Sequence, residues 1–209
     1  MLGGLFSPVR GQALSTIPLF PLRTVLFPGG VLPLKVFEQR YIAMTKACVK
    51  EGLPFGVVLI TSGDEVATGG TAPAFARFGT LATITGWDMP ELGILHVATE
   101  GRTRFQVRSH RVQPDQLVVA DVVEIPTEPR VPLPADAEPL ARLLELVATR
   151  IGPQNFPAAR DYGDASWVGY RLAEVLPLPL PIKQSMLEIN DAAVRLQVLA
   201  KFLRQQGLL

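Results

Sequence analysis

Hydrophobic and polar positions before Pro126 mostly alternate or form short apolar runs, with one helical stretch among them; after it they fall at helical spacing. Thr16 to Leu22 and Val31 to Phe37 are short extended stretches, separated by Phe27-Pro28-Gly29-Gly30. Proline fixes φ there and the glycines permit positive φ, so the segment predicts a turn. Phe37, Tyr41, Met44 and Cys48 recur at steps of four, three and four, one face of a helix. Gly52 and Pro54 stop it. Phe55 to Thr61 is apolar and β-branched, which predicts a buried strand. Residues 62–76 are small and polar, contain Gly69-Gly70, and read as a long loop. Further strands are predicted at Gly79 to Thr85, Gly93 to Thr99, Arg104 to Arg111 and Leu117 to Ile125. Strands so closely spaced predict a small barrel or closed sheet.

Residues 126–134 hold four prolines and read as a stiff linker. Leu140, Leu143, Leu144, Val147 and Ile151 then mark one helix, ended by Gly152-Pro153. Asp164 caps a second helix, with Val168, Leu172, Val175 and Leu176 on one face. Leu176 to Ile182 alternates leucine and proline as a connector, and Pro181 suits the first turn of a third helix. Asn190 or Asp191 caps a fourth helix bearing Ala192, Leu196, Leu199 and Leu203, closed by Gly207. The expected class is α+β: a β-rich lobe with one helix over 14–126, then a helical lobe over 127–209.

Composition narrows the function. Twenty basic residues against nineteen acidic ones give no global field for nucleic acid. No apolar run reaches the length of a membrane span, and the first thirteen residues lack the pattern of a secretory signal. The single cysteine, Cys48, excludes an internal disulfide and fits a reducing cytoplasm. Cys48, His96 and His110 lack metal-ligand spacing, so neither metal nor cofactor is expected. There is no Gly-Lys dipeptide, hence no phosphate-binding loop of that type, and no G-x-S-x-G or H-E-x-x-H motif. Counting leaves a Ser-Lys dyad open, but no local pattern singles one out.

Pro18 to Leu22, Val25 to Gly29 and Val36 to Tyr41 resemble the opening of the Lon protease N-terminal domain. Phe55-Gly56-Val57-Val58, Gly79 to Ala82, Glu100 to Phe105, Leu172 to Leu178, Lys183-Gln184 and Leu187 to Asp191 continue the resemblance in order, over about residues 15–205. The resemblance implies a PUA-like pseudobarrel followed by a small helical bundle. It also implies a domain that recognises unfolded or tagged proteins and supports ring assembly. The ATPase and peptidase of full-length Lon proteases lie downstream, so a recognition module without the machine is expected here.

Candidate partner-binding residues follow from two features. Arg102, Arg104 and Arg108 alternate along one predicted strand, with no acid between Glu100 and Asp115. Leu26 and Phe27 lie in a Pro-Phe-Leu-rich block that, if uncovered, forms an apolar patch. Phe37, Tyr41 and Cys48 are assigned to the core; Glu38 belongs near a helix start, with Arg40 solvated or paired. The leading function is a non-enzymatic module binding unfolded or specific protein clients, by a groove between the lobes or by edge-strand pairing, with or without a separate protease. Several copies in one assembly would raise avidity. The alternative is an RNA-binding PUA-like domain resting on the arginine strand. A third reading, a peptidase, has no motif to support it.

Overall fold

The computed structural model describes residues 14–63, 73–152 and 156–208. The glycine pair at 69–70 and most of the expected loop lie outside them. The order is β1 (Leu14–Leu22), β2 (Val31–Val36), α1 (Gln39–Glu51), β3 (Phe55–Ser62), β4 (Ala74–Glu91), β5 (Ile94–Val112) and β6 (Val118–Glu124). A single 3-10 turn leads to α2 (Glu138–Ile151), α3 (Ala165–Val175), α4 (Leu180–Glu188) and α5 (Ala192–Gln205). The class is α+β, as expected. The strands run β2-β5-β4-β3-β1-β6, and β5 also pairs with β6, so five strands close while β2 stays outside. This is not a regular barrel.

Alternation builds the strand cores. Ile17, Leu19, Val58, Leu81, Phe105, Val107, Val118 and Val122 fill the closed ring. Phe20, Val57, Ala82, Leu95 and Val97 point the other way and are covered by Tyr41, Met44 and Cys48 of α1. Phe20 and Tyr41 stack with ring centroids 4.0 Å apart. The helical core takes in Val25, Phe27 and Leu59 from the first half of the chain, so the helices and the strand region are packed together there. Asp164 accepts hydrogen bonds from the backbone N–H groups of Ser166 and Trp167, and Asp191 from those of Ala193 and Val194. Both caps had a sequence signal.

Three expectations change. The predicted strands at 93–99 and 104–111 are one long strand, β5, because Gly101 is a docking point and not a break. Gly29 N donates to Gly101 O and Gly101 N to Gly30 O, both at 2.8 Å. A Cβ on Gly101 would overlap the Phe27 carbonyl oxygen. The stretch between the strands predicted at 79–85 and 93–99 is strand too, closing through Leu92-Gly93 with Gly93 at φ 86°. Phe37 is 53% exposed, unlike Tyr41 at 2%, because it precedes the N-cap Glu38 and falls outside the helical phase.

One buried carboxylate joins the lobes. Glu128, in the proline-rich segment, receives Arg195 of α5 in a two-pronged pair, with Nη1 at 3.0 Å from Oε2 and Nη2 on Oε1. Arg104 of β5 reaches Oε1 at 3.1 Å. Tyr170 Oη donates to Oε1 at 2.6 Å, and Ser166 Oγ donates to Oε2. The arginines spend further donors on the carbonyls of Met186, Leu187 and Ile189. The Arg195 guanidinium lies 3.8 Å from the Tyr170 ring centroid. Burial alone pushes the Glu128 carboxyl up, but hydrogen bonds from Arg195, Ser166 and Tyr170, with the Arg195 charge, outweigh it and hold the group below the usual carboxylate range. Burial pushes the Tyr170 phenol up, so it remains a donor.

Glu128→Gln leaves two buried guanidiniums without a counter-charge and should cost about 3 kcal/mol or more in denaturant unfolding. A carboxyl depressed in the folded state stabilises above its unfolded pKa and loses that contribution as pH falls through the folded value. Wild-type Tm should therefore drop steeply below about pH 4.5, the ordinary glutamate value, whereas E128Q should lack that part of the drop. A Gly101→Ala variant should lose about 2 kcal/mol, because its new methyl meets backbone and not a side chain that can swing away.

Candidate protein-binding surface

The arginine strand does not form one open face. Arg102 is exposed and pairs with Glu100 at 3.2 Å. Arg104 is 4% exposed and held by Glu128, because the helical lobe covers this stretch of the outer face. Arg108 is exposed, and no ion pair joins it among the described residues. The sequence has no acid between Glu100 and Asp115, but the acid for Arg104 arrives from Glu128, beyond β6. Leu26 and Phe27, at 4% and 0% exposure, are core. The Leu26 carbonyl accepts from Thr80 Oγ1 at 2.6 Å, and Phe27 lies against Tyr170 with ring centroids 5.9 Å apart. Arg104, Leu26 and Phe27 are thus corrected from candidate contacts to interior residues.

Glu38 and Arg40 pair at 2.8 Å; Arg40 is buried, not solvated, and donates to the Gln116 carbonyl at 2.8 Å. Arg171, fully buried, donates to the Pro28 carbonyl at 2.7 Å and pairs with Glu174 at 2.9 Å. These charges fix loops onto helices. Among the described residues, no group of three His, Cys, Asp or Glu side chains could hold a metal ion. No described helix is long and apolar enough to cross a membrane.

Among the described residues, one group of exposed apolar side chains lies around the β4–β5 hairpin. Ile84 pairs with Thr99, but Gly86 pairs with Ala98 and Trp87 with Val97. One extra residue, Thr85, is accommodated as a bulge. Residues 97 and 99 lie on one face, so the bulge puts Ile84 and Trp87, three apart in sequence, on the face that α1 covers. The hairpin outruns α1, leaving Trp87 59% and Met89 38% exposed. Val49 and Leu53, at the end of α1, are 40% and 55% exposed. A depression of about 220 Å³ lies between Lys46, Val49 and Lys50 of α1 and Trp87, Met89 and Leu95. A groove of about 330 Å³ adjoins it, sharing Val49 and Trp87 and lined further by Leu53 and Thr83 to Gly86. A tryptophan is seldom this open, and clustered exposed apolar side chains mark contact sites.

On the other side of α1, a cleft of about 620 Å³ opens between the helix, β1 and β6. Ile17, Met44, Cys48, Leu81 and Val122 line it, with Glu51, Arg111 and Glu124 as its charged groups. The Cys48 thiol is pushed up by burial and then by Glu51, which keeps it protonated and weakly nucleophilic. This arrangement offers apolar contact area and a few charges, and no activated nucleophile. Sequence reading missed Val49, Leu53, Trp87 and Met89; the signal was the Trp87-x-Met89 alternation before the Leu92-Gly93 turn.

Comparison with known proteins identifies the family and the fold. Residues 16–205 match the family model for the ATP-dependent protease La (LON) substrate-binding domain. The crystal structure of a Lon N-terminal domain protein from Xanthomonas campestris superposes with a TM-score of 0.74 at 34% identity, covering 90% of this chain and 98% of that one. The N-terminal domain of a Mycobacterium avium complex Lon protease shares the fold, with a TM-score of 0.60 at 17% identity, over 90% of this chain and 97% of that one. The Lon protease of Phenylobacterium zucineum is 28% identical over 203 residues, which are 91% of this chain and 24% of that protein. Xenopus tropicalis protein cereblon is 32% identical over 114 residues, 53% of this chain and 24% of cereblon. The chain thus spans about a quarter of the length of the curated Lon proteases it matches. With most of its length matched by that family model and its fold shared with Lon N-terminal domains, the chain belongs to the LON substrate-binding domain family.

Proposed function

We propose that this chain is a non-catalytic protein-binding module that holds apolar segments of unfolded clients on the surface around Trp87. The observation that carries the reading is the cluster of Trp87, Met89, Val49 and Leu53, exposed together around two adjoining depressions. Burying apolar client surface there is favourable at about 25 cal/mol per Å² and needs no ATP. The family description supports a protein ligand. Arg104, Arg171 and Arg195 are committed to holding the fold and are not offered to a ligand. As a client holder the module acts as an adaptor or chaperone-like binder, alone or beside a protease. A reducing, cytoplasmic setting suits its one thiol, the buried Cys48. The RNA reading loses its footing, because only Arg108 of the three named arginines offers a charge free of an ion pair among the described residues.

The test is binding of reduced, carboxymethylated α-lactalbumin, a permanently unfolded client, measured by anisotropy. The double variant Trp87→Ala, Met89→Ala should weaken binding by about tenfold or more, as loss of an aromatic anchor does. Its unfolding free energy should stay within about 0.5 kcal/mol of wild type, since both side chains lie outside the core. Equal affinity of the two proteins for the client would sink the proposal.

A further inference from the structure

We propose that the free edge of β4 from Thr83 to Asp88 accepts an extended client segment as an added strand. The segment's apolar side chains would pack on Val49, Leu53 and Ile84, and one acidic residue would meet Lys46 and Lys50. This deepens the binding reading above and rests on it.

The strand pairing carries the argument. β3 pairs with β4 only as far as Ala82, opposite Phe55, because the chain before Phe55 turns off through Gly52, Leu53 and Pro54 into α1. β4 continues to Glu91, paired with β5 on its other side alone among the described residues. In a strand, half of the backbone N–H and C=O groups face each neighbour, so this stretch presents a row of groups suited to another backbone. The other open edge, β2, carries Pro33 and Lys35, both of which discourage pairing. Thr83, Ile84, Thr85, Gly86 and Trp87 include neither proline nor lysine, and Pro90 ends the usable edge.

The groove wall fixes the side-chain chemistry. The end of α1 runs alongside the edge, with Val49 and Leu53 lining the groove together with Thr83 to Trp87. Residues of an added strand opposite Ile84 and Trp87 point to that wall, and those between them point to solvent. Apolar, β-branched or aromatic residues fit the first set and polar ones the second. Past Trp87 the groove joins the depression lined by Lys46 and Lys50, one helical turn apart, and neither lysine has an ion-pair partner among the described residues. A carboxylate at that end of the segment supplies their counter-charge.

The probe is a fluorescein-labelled octapeptide of alternating valine and threonine with one glutamate, made with the glutamate at either end. The tighter of the two is remade with alternate amides N-methylated, in both registers. Strand addition predicts that one register loses affinity by about tenfold or more, because it removes several backbone hydrogen bonds, while the other changes little. Glutamate to lysine in the peptide, or Lys46→Glu with Lys50→Glu in the protein, should weaken binding several-fold, and salt should narrow that difference. Equal effects from both N-methylated registers overturn strand addition. If unfolded α-lactalbumin binding still depends on Trp87 in that case, the recognition surface stands and only its mode is wrong. Absence of binding by both peptide and α-lactalbumin up to millimolar concentration overturns both readings.

Discussion

Glu128 is the constraint on which the rest of the molecule depends. Its carboxylate collects Arg104 from β5, Arg195 from α5, and Tyr170 and Ser166 from α3. The same two arginines bind carbonyls at the end of α4 and just beyond it. A buried ion needs partners at every open position, so displacing any one of these elements exposes or strands a charge. The helices therefore have one seat on the sheet. An apolar contact of similar area tolerates sliding and repacking, whereas this cluster requires a fixed geometry.

That seat determines which surfaces remain. The helical lobe takes the outer face at Arg104, and α1 takes the face bearing Leu95 and Val97. Phe27 and Val25 plug into the helical core, where the Phe27-Gly30 turn is tied to Gly101 and, through the Pro28 carbonyl, to Arg171. The β4–β5 hairpin extends beyond this packed body. Its bulge turns Trp87 toward α1 without burying it, and the result is an apolar edge beside a basic helix face. This apolar edge and its rigid support are thus adjacent but made of different residues. Side chains on the hairpin can change without entering the core.

Much of the fold could be read from local pattern. Asp164 announced its helix, and Asn190-Asp191 another, because a polar side chain before an apolar repeat satisfies free N–H groups at the helix start; the structure chose Asp191 of the second pair. The Phe55 strand was legible because a short β-branched run has few other homes. Phe37 was misplaced because spacing alone does not show where a helix begins. The long hairpin was cut in three because a glycine reads as a break, while Gly101 is required for close approach of the Phe27-Gly30 turn. Arg104 looked like a surface charge because its acid lies in a segment that sequence marks only as a linker.

The sequence by itself determined the strand-then-helix order, the caps, the turn at Pro28-Gly30 and the family resemblance, since each depends on residues close together or on an ordered set of motifs. It also determined that no familiar catalytic motif is present. Only the tertiary structure decided that Leu26, Phe27 and Arg104 are interior, and that Trp87, Met89, Val49 and Leu53 share an open surface. The reason is physical: burial and charge pairing depend on which distant segments meet. Glu128 with Arg195, 67 residues apart, is the case that settles the arrangement of all the others.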